Sequence, residues 1–226
     1  MSNPESSVET ELMSGAEPAA ARWLAIHDEL LRGITHALSN RIATIGAAGY
    51  MLEHGDVAVE QTIHSLREET DRMDALLQQL RQLPERPGAD PEPMTVNDAC
   101  AAAIKVHAHH GELRDFECDV AVDTDVYPVW AEPQALVHAL LVALTAAKRN
   151  AVPGSRILMK ATGNTNVVNI RVVACDGTVE RDVLNVVDAN AARWLLKKNG
   201  GSARAVDNGC ELELPTLLAI RRARKS

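Results

Sequence analysis

Apolar residues recur at Leu31, Ile34, Leu38, Ile42, Ile45, Gly49 and Leu52, in steps of three and four. That spacing is the seam of a helix packed in a bundle, and it predicts one long helix over about 18–53. A second run, Val59, Ile63, Leu66, Thr70, Met73, Leu77 and Leu80, alternates steps of four and three throughout, the heptad pattern of a coiled-coil seam. Between them His54-Gly55-Asp56 reads as a helix stop, a left-handed turn residue and a cap for the next helix. So short a loop makes the two helices an antiparallel hairpin. One hairpin has too little core to stand alone. The pattern therefore predicts pairing with a second copy in a four-helix bundle, the alternative being a hairpin docked on its own C-terminal half.

The pattern changes after residue 83. Prolines 84, 87, 91 and 93 break any helix, so residues 84–95 read as a linker. Helix and strand patterns then mix: a helix over 96–109 capped by Thr95 or Asn97, and a strand over 116–122. A strongly apolar helix follows over 132–150, then strands over 156–161 and 167–174 around Gly163-Asn164. A helix over 189–199 stops at Gly200-Gly201, and a last hairpin covers 203–206 and 210–214. The fold class is α+β: a helical hairpin over 19–83, then an α/β sandwich over 96–220. Residues 1–18 read as a disordered leader and 221–226 as a solvated basic tail.

Composition narrows the classes. Aromatic residues are 3% of the chain, so the core is aliphatic. A net charge of -8 argues against nucleic acid as a partner. Cys100, Cys118, Cys175 and Cys210 lack paired spacing, which suits free thiols in a reducing compartment better than disulfides or zinc. No apolar run reaches membrane-spanning length, so the chain is expected to be cytoplasmic. His107, His109 and His110 lie near Glu112 and Asp115, a grouping that suits a metal less well than a fraying helix end.

His36 is two positions from both Ile34 and Leu38, so on a helix it points away from the seam. Arg32 and Asn40 stand one turn to either side, and Ala43 and Ala47 leave room for another protein surface. An exposed imidazole is nucleophilic near neutral pH. Thr35-His36-Ala37-Leu38-Ser39-Asn40-Arg41-Ile42 resembles the phosphoacceptor box of the sensor histidine kinases, usually S/T-H-E-L-x-N-P-L. Thr35, His36, Leu38 and Asn40 agree with it. Ala37 stands in place of the acidic residue, and Arg41 in place of the proline that bends the helix.

The second half resembles the ATP-binding domain of the same family over a helix, two glycine turns and the closing strand. The two asparagines of the family's nucleotide helix fall on Val142 and Ala146, whose side chains cannot coordinate Mg²⁺. Asp176 resembles the adenine-contacting Asp, without the glycine pattern that follows it. Asp188-Ala189-Asn190-Ala191 stands where the family has a glycine-rich phosphate turn, and a carboxylate at a helix start would repel phosphate. The resemblance implies a kept fold and a lost nucleotide site. It implies a histidine phosphotransferase of a two-component phosphorelay, with His36 carrying a phosphoryl group between receiver-domain aspartates. No cofactor is expected in this chain, since the receiver brings its own Mg²⁺. Arg32 and Arg41 would steady phosphate oxygens, Asn40 would orient the ring, and Ser39 would face the partner. A divergent sensor histidine kinase and a non-catalytic dimeric adaptor are the alternatives.

Overall fold

In the computed structural model, residues 4–55, 58–80, 90–108, 116–176 and 183–224 are described. Helix α1 runs from Pro4 to His54 and α2 from Val59 to Leu80, forming the expected hairpin. Residues 4–18, expected to be a disordered leader, belong to α1. Pro18 lies inside it, and its missing N–H removes one backbone bond while Glu17 and the alanines after it favour the helix.

Strand β1 (Glu92–Met94) lies in the expected linker and pairs antiparallel with β3 (Val129–Ala131). The linker is therefore shorter than its prolines suggest, since Pro93 occupies a strand of this two-stranded ribbon. Helix α3 (Val96–His107) starts at Thr95, whose hydroxyl accepts from the Asp98 N–H. Strand β2 (Cys118–Val122) and β4 (Ile157–Gly163) pair in parallel. Strands β5 (Val167–Ala174), β6 (Ser202–Val206) and β7 (Gly209–Pro215) complete a sheet of order β2-β4-β5-β7-β6.

Alternation sorts the two faces of that sheet. Met159, Ile170, Val172, Leu212 and Leu214 are buried toward the helices, whereas Lys160, Arg171 and Glu213 face solvent. Helices α3, α4 (Pro133–Asn150) and α5 (Val183–Leu196) cover the apolar face. Proline at its first position starts α4, which is buried along almost its whole length. A short 3₁₀ turn after α5 ends at Gly200, left-handed at φ 70° as the glycine pair predicted. The basic tail is partly structured: α6 (Leu217–Ala223) is capped by Thr216, and Arg224 lies over the Trp130 ring at 5.3 Å.

The α1 seam extends further towards the N-terminus than expected. Ala19, Trp23, Ile26, Leu30 and Ile34 are buried in the same core as α4 and α5. The root of α1 thus docks on the sandwich, while the rest of the hairpin keeps apolar residues exposed. Further along, Ile42 is 59% exposed in the single chain. The expected seam began at Leu31 and so missed the three- and four-residue spacing upstream of it.

Helix α5 begins at Val183, earlier than the expected 189. Asp188 is accordingly inside the helix and fully buried, not at a phosphate-facing terminus. Gly209 illustrates a backbone constraint in the closing hairpin: a Cβ there would meet the Val172 carbonyl oxygen at 2.1 Å. Gly209→Ala should push β7 off β5 and lower stability by about 1–3 kcal/mol; a shifted urea midpoint checks this, and an unchanged midpoint contradicts it.

Candidate functional site

His36 is exposed on α1, two residues beyond the last residue of α1 that is buried on the sandwich. The Asn40 amide nitrogen lies 3.5 Å from His36 Nε2, the outer limit of hydrogen-bond reach. With the amide donating, Nε2 accepts through its lone pair and Nδ1 carries the proton. Arg32 donates to Glu29 at 2.5 Å one turn upstream. Its side chain is 72% exposed, and so exposed a pair is weak. The guanidinium is therefore free to swing to an incoming anion. Ser39 donates to the Thr35 carbonyl at 2.9 Å, spending its proton on its own helix.

Arg41 is placed differently from the expectation. Its guanidinium donates to both Glu69 oxygens, at 3.2 and 3.0 Å, across the hairpin. Arg72 donates to the same carboxylate at 2.5 Å. Where the family's box has a proline that bends the helix, this chain has an arginine that ties α1 to α2. Arg41 thus serves as a tie across the hairpin. Sequence reading missed Glu69 because it sits beside Thr70 within an otherwise polar stretch, and nothing local marks it as buried.

Among the described residues, the positions that the resemblance assigns to nucleotide at Val142, Ala146 and Asp188 are enclosed. Val142 and Ala146 are fully buried in the core. Asp188 is enclosed by Arg22 of α1, whose Nε donates at 2.6 Å, and by Arg149 of α4. Trp23 stacks on His138 of α4 at 4.3 Å. The donor set a magnesium nucleotide needs is replaced by methyl groups and by an internal ion triad, so ATP with Mg²⁺ does not fit. Asp176 is exposed beyond β5, with its backbone N–H bonded to the Ser155 hydroxyl at 3.1 Å.

Other candidate chemistry falls away. His109, His110, Glu112 and Asp115 lie outside the described residues. Among the described residues no group of three or more His, Cys, Asp or Glu is placed to hold a metal. The four cysteines are free thiols; burial pushes Cys100 and Cys210 up to about 12 and Cys118 up to about 11. No described helix is long and apolar enough to cross a membrane.

No family model matches this sequence, and no curated protein matches it. Among solved structures, the Acinetobacter baumannii histidine kinase AdeS is similar at 12% identity and TM-score 0.42, covering 80% of this chain and 96% of that chain. A bacterial phosphotransferase is similar at 16% identity and TM-score 0.41, covering 84% of this chain and 96% of its own. The catalytic domain of histidine kinase ThkA gives 12% identity and TM-score 0.46 over 57% of this chain and 99% of its own. With scores of this size, the fold assignment rests on this chain's own strand order and helix layer.

The Arg41–Glu69–Arg72 tie carries a pH dependence. Burial would raise the Glu69 carboxyl, but hydrogen bonds from Arg41 and Arg72, with their charges, outweigh it and hold it below the usual range. Its contribution to stability is present above the unfolded carboxylate value of about 4.3 and is lost as pH falls through the lower folded value. Acid unfolding should therefore be steeper below about pH 4.3 in the unmodified chain than in Glu69→Gln. Identical acid limbs in circular dichroism titrations would rule the tie out as a source of stability.

Proposed function

We propose that this chain is a phosphotransfer protein of two-component signalling, in which His36 carries a phosphoryl group between receiver-domain aspartates without ATP. The observation that carries this reading is the contrast between the two candidate sites. His36 is open to a partner, while the positions that would hold nucleotide are closed by the chain's own core. Phosphoryl transfer needs positioning and charge neutralisation more than covalent chemistry from the protein. The long Asn40 contact gives way, and the His36 Nε2 lone pair it releases attacks phosphorus of the incoming acyl phosphate. The bond to the receiver's aspartate oxygen breaks and the carboxylate leaves with the receiver. Asn40 steadies the ring, and Arg32 is the nearby cation with the freedom to meet the phosphoryl oxygens. Mg²⁺ would be held by the receiver.

A divergent histidine kinase is the second reading. The names of the similar structures stand nearer to it than to the first, being mostly kinase names. The two readings part on nucleotide: the first expects no ATP affinity, with or without Mg²⁺, in calorimetry.

The reading includes a homodimer through the hairpin. Ile42, Val59, Ile63 and Leu77 are each at least 40% exposed in the single chain. A shallow groove of about 360 Å³ lined by Ile63, Leu66, Arg67, Thr70 and Asp71 continues this surface along α2. A second hairpin of the same sequence presents the matching heptads to fill it. Ile63→Glu should leave the single chain folded, since the side chain starts in solvent, yet give monomers in sedimentation. A persistent dimer would remove this part of the reading.

The decisive measurement uses a phosphorylated receiver and follows acid-labile label. The unmodified chain should take the label, His36→Ala should take none, and Arg32→Ala and Asn40→Ala should take it more slowly. His36→Ala should melt like the unmodified chain, because alanine replaces an exposed helix residue. Label on His36→Ala, or micromolar ATP binding by the unmodified chain, would overturn the reading.

A further inference from the structure

The docking of α1 on the sandwich is held mainly by apolar residues at Ala19, Trp23, Ile26, Leu30 and Ile34. The aliphatic part of the seam, Ile26, Leu30 and Ile34, attracts with little preference for register, since these side chains are alike in size, while Trp23 adds a stack on His138. Asp188 is different. It is fully buried, and its two oxygens are divided between Arg22 of α1 and Arg149 of α4. Moving α1 by one turn either way would bring Pro18, Ala19, Ala25 or Ile26 to the place of Arg22, and none of these carries a cation. The slipped arrangement would leave a buried carboxylate with half its partners.

We propose that the Arg22–Asp188–Arg149 triad is a register pin: it selects one axial position of α1 on the sandwich and so fixes where His36 stands relative to that domain. The pin works through specificity, not attraction. The apolar seam holds the helix down, and the ion triad decides which turn lies where. Asp188 keeps Arg149 when Arg22 is neutralised, so a change at Arg22 tests register without stranding an unpaired charge. This inference stands whether or not His36 carries phosphate.

The test measures one distance within one full-length chain. Cys175 is exposed and Cys100 and Cys210 are buried; thiols pushed up to about 12 by burial contribute little thiolate for labelling. In a Cys118→Ser, Ala43→Cys background, spin labels at positions 43 and 175 report the position of α1 on the sandwich. Dilution with excess unlabelled chain removes distances between copies. The unmodified background should give a single narrow distance. Arg22→Met should add a second population displaced by about 5 Å, one helical turn, with Arg22→Gln giving the same result should the methionine variant fold poorly. Arg22→Lys should keep the single distance, because the cation and its reach are retained. A single unchanged distance in both neutral variants would overturn the proposal, as would a second population in Arg22→Lys.

Discussion

The structure depends on how α1 is shared between two packing partners. Its root buries Trp23, Ile26, Leu30 and Ile34 on the sandwich, and its distal half packs on α2. A helix of 51 residues is far longer than a single core needs. It stays one rod because each half has its own apolar surface to cover and its own ionic fastening. At the root the fastening is Asp188 between two guanidiniums; in the hairpin it is Glu69 between Arg41 and Arg72. Both place one carboxylate among two arginines from different elements, which offsets the desolvation of the buried charge with more than one donor.

That sharing decides what the sandwich can do. Helix α4 is covered by the sheet beneath it, by α3 and α5 at its sides, and by the root of α1 through the Trp23–His138 stack. A nucleotide would need to enter along a helix that has almost no exposed side chain. The sheet's other face offers no replacement, since it presents cross-strand charges such as Arg204 and Glu211, paired at 2.8 Å, on an open pleated surface.

Much of this was legible in the sequence because its causes are local. The stop at Gly55, the Thr95 cap, Pro133 at a helix start and the strand alternation of β4 and β5 each depend on a few neighbouring residues. The exposure of His36 was legible too, since it follows from helix geometry alone. Asp188 was misread because the cap-type residue Asp182 ahead of Val183 was passed over as a helix start, and because its partner Arg22 lies 166 residues away. The pairing of Arg41 was missed for a similar reason. Its position in the box suggested the function, but the Glu69 that takes its charge belongs to the facing helix. Pro18 misled in the opposite direction, since a proline usually marks a boundary and here lies within the rod.

His36 therefore stands at a mechanical junction. On its root side α1 is immobilised by a buried seam; on its tip side the same helix carries Ile42, Tyr50 and Met51, all largely exposed. Small residues flank the imidazole on the outward face, at Ala43 and Ala47, and both are exposed. A partner approaching there meets a ring held by Asn40 and an arginine held only by an exposed pair with Glu29. Close approach at this face is then limited by a partner's shape more than by this chain's own side chains, since the residues flanking the ring on the outward face are alanines.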